Sequence, residues 1–144
     1  MRNLMMDRSA RLNSIFLDRN DDFALEYLRY FRLGAHFRPN ARTALLLGGG
    51  AFIFPGDFLG RFPDKRMDVV ELDPALETIA GNYFGFKRDP RLGLFYEDAR
   101  TYLNRCSRTY DVVYVDVFGS NATVRAKSRY ACCRLPSRRF TIPR

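Results

Sequence analysis

The residues best suited to chemistry follow two short apolar runs in the middle of the chain. Residues 44–47 form an uninterrupted apolar run, typical of a strand buried on both faces of a parallel sheet, and end in Gly48, Gly49 and Gly50. Glycines let the backbone turn sharply and approach a ligand closely. The second run ends in Glu71. An acid about 20 positions beyond a glycine loop commonly accepts hydrogen bonds from a ribose, so the spacing predicts a nucleoside site.

The glycine turn departs from the dinucleotide fingerprint at one position. Ile53 stands where the third glycine of that fingerprint would be, which lowers the case for a nicotinamide or flavin dinucleotide. An isolated glycine motif is also a weak signal. The alternative is a turn that serves only chain reversal, with Glu71 a solvated strand end.

Acidic residues also follow two later predicted strands. Asp98 comes after a strand predicted over residues 91–97, and Asp116 ends a strand predicted over residues 110–116. Ligands of parallel sheets bind at the carboxyl ends of the strands. We therefore expect the glycine turn, Glu71, Asp98 and Asp116 to meet at one edge of the sheet.

Strands that alternate with helices predict an α/β fold, here an incomplete, Rossmann-like, doubly wound parallel sheet. A small β-hairpin is predicted within residues 1–20, ahead of a nucleoside-binding domain over residues 21–120. The first helix should be capped by Asp21 and Asp22 and stopped by Pro39. Later helices should begin near residue 55, at Asp73 and at Asp98. Inward-facing positions should include Tyr83, Cys106, Val112, Val113 and Val115.

The 144 residues are ordinary globular composition, with 47% hydrophobic and 28% charged residues. Seven of the 24 Lys and Arg residues follow Ser120, whereas none of the 16 Asp and Glu residues does. The net charge of +8 therefore belongs to a basic tail, residues 121–144, which we expect to be disordered. No aromatic residues alternate with its arginines as in stacking grooves, so nucleic acid is not the expected partner.

No apolar run reaches the length of a membrane span, and no signal-peptide core is evident, so a cytoplasmic protein without a membrane partner is expected. Three cysteines lack zinc-ligand spacing, and the single histidine, His36, is expected on the surface or at a helix end. No metal site is predicted.

Taken together, the motifs resemble those of spermidine synthase-like proteins. These are aminopropyltransferases and their relatives, within the S-adenosylmethionine-dependent methyltransferase folds. The matching segments are Leu-Leu-Leu-Gly-Gly-Gly at 45–50, Val-Glu-Leu-Asp-Pro at 70–74, Tyr-Glu-Asp-Ala-Arg at 96–100 and Tyr-Asp-Val-Val-Tyr-Val-Asp at 110–116. Asn13 falls where the family usually has the glutamine of Gln-Ser. The resemblance covers roughly residues 2–120.

The resemblance implies a cofactor, S-adenosylmethionine or decarboxylated S-adenosylmethionine, and an amine acceptor that could be a polyamine. It also implies a role for each site residue. The glycine loop would lie beside the methionine-derived arm, Glu71 would bind the ribose, and Asp98 with Ala99 would bind the adenine. Asn13 and Tyr27 would bind the substrate, and Asp116 would be the catalytic acid. Asp116 would orient or deprotonate the amine, which is a nucleophile only without its extra proton.

Several positions depart from the family pattern. Ala51 replaces the Asp that usually follows the glycines, Leu28 and Arg29 replace the His-Glu that usually follows Tyr27, and Gly119 replaces a second acid. Transfer of an aminopropyl group to an amine stays the first expectation, and these changes leave two alternatives open: a methyltransferase, whose cofactor keeps its carboxylate, or an inactive nucleoside-binding fragment. The family's later strands have no counterpart in the tail, which indicates a chain shortened at its C-terminus. The strand at 110–116 would then be an exposed edge that favours homo-oligomers.

Overall fold

The computed structural model describes residues 2–5, 11–15 and 24–117, and for residues 11–15 it describes the backbone alone. Its strands are Arg2–Met5 (β1), Arg11–Ile15 (β2), Thr43–Leu47 (β3), Arg66–Glu71 (β4), Leu92–Tyr96 (β5) and Val112–Val115 (β6). Its helices are Tyr27–Phe31 (α1), Leu33–Phe37 (α2), Ile53–Arg61 (α3), Ala75–Phe84 (α4) and Ala99–Arg105 (α5). Asp21, Asp22, Gly119 and the predicted tail lie outside the described residues. No helix in the described ranges is long and apolar enough to cross a membrane.

The four later strands form one parallel sheet in the order β5-β4-β3-β6. The chain moves outward from β3 to β4 and β5, and α5 then returns it to the other side of β3. This reversal places helices on both faces, so the predicted doubly wound α/β sheet is confirmed. The predicted N-terminal hairpin is present as β1 and β2, an antiparallel pair in a separate two-stranded sheet.

Strand β3 lies at the centre of the core because both of its faces are covered. Ala44 and Leu46 pack in a cluster that includes residues of α1, α3 and α4, whereas Leu45 and Leu47 pack with Tyr102 of α5. Cys106 packs against this second cluster, as predicted. The apolar run 44–47 is thus explained by burial on both sides of the sheet.

The first predicted helix is interrupted, which the sequence did not indicate. Within its described part, α1 ends at Phe31 and α2 begins at Leu33, with the amide of Arg32 bonded to the carbonyl of Arg29 in a tight turn. The side chain of Arg32 reaches Asp57 of α3, with Nη2 2.8 Å from Oδ1. Packing of this segment against α3 and the sheet thus competes with a continuous helix.

The prediction that Val113 and Val115 face inward was wrong. They are 37% and 44% exposed, whereas Tyr114 between them is buried against the cluster around Phe54. Among the described residues β6 pairs with β3 alone. Val113 and Val115 lie in register with Leu45 and Leu47, on the same face of the sheet, but neither packs in the cluster that those residues form with Tyr102 of α5. Tyr83, predicted to face inward on α4, is likewise 55% exposed.

Candidate functional site

The glycine turn and the predicted acidic site residues come together at the carboxyl edge of the sheet. Across that edge lie Asp98 after β5, Glu71 at the end of β4, the glycine turn after β3, and Asp116 after β6. The strands are neighbours in this order, so the residues that follow them are neighbours too. The expected convergence on one edge is therefore present in the structure.

The glycine turn lies where the strand order reverses, between β3 and β6. Gly48 and Gly50 have φ values of +90° and +53°, which L side chains rarely adopt. A Cβ atom on Gly48 would also collide with the carbonyl oxygen of Asp116. The amide of Asp116 donates to the carbonyl of Leu47 at 2.8 Å. A reversal point of this kind is the usual ligand crevice of a doubly wound sheet.

Phe52 is a strained residue in this turn that no sequence pattern singles out. Its φ of +56° is left-handed although it is not glycine, and it immediately precedes α3. The side chain is buried and packs against Phe86, with the ring centroids 4.8 Å apart. Its ring also lies 3.0 Å from the place a Cβ on Gly49 would take. This packing holds the strained conformation and fixes the turn.

Glu71 joins the glycine turn to the next strand. Its Oε2 accepts hydrogen bonds from the amides of Gly49 and Gly50 at 2.7 and 3.0 Å, and its Oε1 accepts one from the amide of Asp73 at 3.1 Å. The residue is only 9% exposed, so it is not a solvated strand end. A carboxylate offers about four acceptor positions. Three of these positions are occupied, so one acceptor position of Glu71 remains.

Asp116 and Tyr27 lie far apart in the chain but meet at the site. The Tyr27 hydroxyl donates to Oδ2 of Asp116 at 3.0 Å. Burial raises the pKa of Asp116 to about 6, and the charge of Glu71 adds to the rise while the Tyr27 hydrogen bond opposes it. Burial, together with the neighbouring Asp116 carboxylate, also raises the pKa of Tyr27. The pair therefore forms a carboxyl–phenol unit in which Asp116 can exchange a proton near neutral pH.

Asp98 and Ala99 lie where α5 begins, beside the end of β5. Oδ1 of Asp98 caps the helix by accepting from the amide of Thr101 at 2.9 Å, as predicted. Asp98 is exposed to solvent. Its Oδ2 takes part in none of the hydrogen bonds among the described residues and is available to a ligand. Asn13 lies in β2 opposite Leu4, but its side chain is outside the described part.

The positions that depart from the family pattern have defined surroundings. Ala51 and Leu28 are both buried, whereas Arg29 is exposed. Two positions at which the family pattern has polar groups are therefore filled by buried apolar side chains, and the third carries a cation. A separate cavity of about 300 Å³, lined by residues that include Phe37 and Asp111, lies near the start of β6, at the opposite end of that strand from Asp116.

Comparison with known proteins gives relatives of two kinds. No protein-family model matches the chain. A polyamine aminopropyltransferase of Vibrio vulnificus (strain CMCP6) is 32% identical over 95 residues, which are 64% of this chain and 32% of that protein. An eEF1A lysine and N-terminal methyltransferase of Xenopus laevis is 34% identical over 94 residues, 60% of this chain and 13% of that protein. This chain spans about a third of the length of the first relative and less of the second.

Solved structures also include both kinds. A probable spermidine synthase from Corynebacterium glutamicum ATCC 13032 is 28% identical, with a TM-score of 0.66, and the match covers 78% of this chain and 43% of the synthase chain. Human methyltransferase-like protein 13, in complex with SAH, is 26% identical, with a TM-score of 0.59, and the match covers 67% of this chain and 50% of the human chain. The two proteins share with this chain the parallel sheet and the helices that flank it.

Proposed function

We propose that this chain, a homologue of the polyamine aminopropyltransferases with the Rossmann-like methyltransferase fold, binds an S-adenosylmethionine-related nucleoside at the carboxyl edge of its sheet. The observation that carries the proposal is the direct bonding of Glu71 to Gly49 and Gly50, which makes the acid and the turn one unit. The SAH bound to human methyltransferase-like protein 13 supports a ligand of this class.

Each part of the ligand then has a partner at the edge. The free acceptor position of Glu71 would receive a ribose hydroxyl, and Oδ2 of Asp98 with the backbone of Ala99 would receive the adenine. The glycine turn would lie against the sulfur-bearing arm, since only glycine lets the backbone come so close. Adenine, ribose and sulfur would thus lie along the edge from β5 to β3.

Asp116 is the proposed reacting residue, with Tyr27 as the group that positions it. A carboxylate with a pKa of about 6 is mostly ionised at neutral pH, so it can attract and orient a cationic acceptor and take up the proton that the ammonium group must lose before its nitrogen attacks. The hydrogen bond from Tyr27 fixes Oδ2, and the other oxygen can face the acceptor. Asn13 is proposed to contribute to acceptor binding, as the family resemblance implies.

Two kinds of transfer remain candidates, aminopropyl transfer and methyl transfer. The polyamine aminopropyltransferase relative supports the first. The second is favoured by the buried, apolar Ala51, because no acid is present there to repel the carboxylate that intact S-adenosylmethionine keeps. The Xenopus laevis methyltransferase relative supports it as well. Comparing the affinities for decarboxylated and intact S-adenosylmethionine separates the two.

The nucleoside site itself is tested by calorimetric titration of methylthioadenosine into the unaltered protein and into Glu71→Ala. Losing a charged hydrogen-bond acceptor is expected to weaken binding by about 1.5–3 kcal/mol. Glu77→Ala is the matched control, because Glu77 lies on α4 and accepts hydrogen bonds from the side chains of Arg88 and Tyr96 and none from the turn. Equal affinities of the unaltered protein and Glu71→Ala would overturn the assignment.

A further inference from the structure

We infer that Glu71 also sets which nucleosides are admitted, because its carboxylate occupies the amide donors of the glycine turn and so excludes ligands that place a phosphate there. The inference rests on the proposed nucleoside site and narrows its ligand class. The site would accept adenosine derivatives whose 5′ substituent is neutral or cationic, and it would reject nucleotides.

The contacts of Glu71 imitate those of a bound anion. Backbone amides of a glycine turn ahead of a helix are the donors that bind phosphate in many α/β proteins. Here Oε2 of Glu71 lies 2.7 and 3.0 Å from the nitrogens of Gly49 and Gly50, which are ordinary hydrogen-bond distances. Two bonds fill the acceptor positions of that oxygen. A phosphate oxygen could reach these donors only by displacing a buried carboxylate.

A second carboxylate acts in the same direction. Asp116 follows β6 beside Gly48, and its ionised form is disfavoured mainly by burial and further by the charge of Glu71. A phosphate at the turn would therefore meet two acidic side chains in a partly buried crevice, where charges are weakly screened. A sulfonium or ammonium centre at the same place would be attracted by both. Like-charge repulsion is thus a second reason for the exclusion of phosphate.

Removing the carboxylate of Glu71 should shift the ligand preference of the site from nucleosides toward phosphate. In Glu71→Ala the two amides lose their internal acceptor and become donors for an anion. In Glu71→Gln the side-chain volume is kept, and the amide oxygen can still accept from the turn, but the neutral acceptor bonds less strongly and no longer repels a phosphate. Both variants should bind phosphate better and nucleosides worse than the unaltered protein, whereas a loss of folding would weaken the binding of both kinds of ligand.

The test is a set of calorimetric titrations with methylthioadenosine, adenosine 5′-monophosphate and inorganic pyrophosphate into the unaltered protein, Glu71→Ala, Glu71→Gln and the control Glu77→Gln. The unaltered protein should prefer methylthioadenosine to the monophosphate by at least about tenfold. Both Glu71 variants should move that ratio toward the monophosphate by about tenfold or more, and Glu77→Gln should leave it unchanged.

An unchanged ratio in Glu71 variants that retain the circular dichroism spectrum of the folded protein would overturn the inference. Pyrophosphate separates this outcome from failure of the proposed function, because its binding requires no nucleoside pocket. If no nucleoside binds but Glu71→Ala gains pyrophosphate binding, the proposed function fails and the role of Glu71 stands. If both variants unfold, the inference is tested on the unaltered protein by NMR. The amide resonances of Gly49 and Gly50 should not move when pyrophosphate is added, and a specific shift would contradict the inference.

Discussion

Replacing Asp116 by asparagine is expected to stabilise the protein at neutral pH while it removes any transfer activity. Burial raises the pKa of this carboxyl from its ordinary 3.8 to about 6, so the ionised form is less stable in the folded protein than in the unfolded chain. At about 1.4 kcal/mol for each pKa unit, the difference corresponds to roughly 3 kcal/mol. Because the side chain is only partly buried, solvent screening should reduce the gain to about 1–2 kcal/mol. The asparagine oxygen can still accept the Tyr27 hydrogen bond.

The size of this effect depends on pH. The pKa of Asp116 is higher in the folded state, so its contribution to stability is fully present below about pH 4 and is lost as the pH rises through about 6. Asp116→Asn and the unaltered protein should therefore unfold at similar temperatures at pH 4. At pH 7.5 the variant should unfold at a temperature higher by roughly 4 °C for each kcal/mol gained.

Thermal unfolding followed by circular dichroism at the two pH values is the assay, and Asp111→Asn is a control of opposite sign. Hydrogen bonds from the amides of Arg42 and Thr43 lower the pKa of Asp111, so its contribution is present at neutral pH and is lost as the pH falls. Asp111→Asn should thus be less stable than the unaltered protein at pH 7.5. The reasoning would be refuted if Asp116→Asn were destabilised at pH 7.5, or if its effect were the same at both pH values.

Three further predictions follow from the site. Gly48→Ala should destabilise the protein by about 1–3 kcal/mol, because Gly48 has a positive φ and a Cβ there would collide with Asp116. Gly56→Ala, in open space on α3, should be neutral or stabilising by up to about 1 kcal/mol. Urea unfolding measures both. Tyr27→Phe should raise the pKa of Asp116 further, since it removes the hydrogen bond that lowers it, and carboxyl-carbon NMR titration would show this; an unchanged or lower pKa would contradict it. The chain should not turn over putrescine and decarboxylated S-adenosylmethionine, because Ala51 offers no group to hold the amine; repeated methylthioadenosine release that is lost in Asp116→Asn would contradict this.

The arrangement of the sheet could be predicted because its signals are local. Unbroken apolar runs predict buried parallel strands, and acids at the ends of those runs must then share one edge. The inward faces of β6 could not be predicted in the same way. Val113 and Val115 have the composition of a buried strand, yet which face is covered depends on neighbours that the strand's own residues do not specify.

The hydrogen bonds and the backbone strain within the site could not be predicted either, because they depend on contacts between residues that are distant in the sequence. Spacing singled out Glu71 and the glycines, but it could not show that Glu71 already accepts the amides of the turn. The contact of Tyr27 with Asp116 joins residues brought together only by the packing of α1 on the sheet. Phe52 adopts its left-handed conformation because its ring is packed against Phe86, and no local signal reports that.

The central claim is that an adenosine-type ligand binds where the glycine turn meets Glu71, and backbone amide NMR during titration with methylthioadenosine tests it most directly. The amide resonances of Gly49, Gly50 and Ala99 should move together along one saturating curve. Those of Arg42 and Asp111, at the opposite end of the sheet, should stay in place. Shifts confined to that opposite end, or no saturable shift at the glycine turn, would contradict the claim.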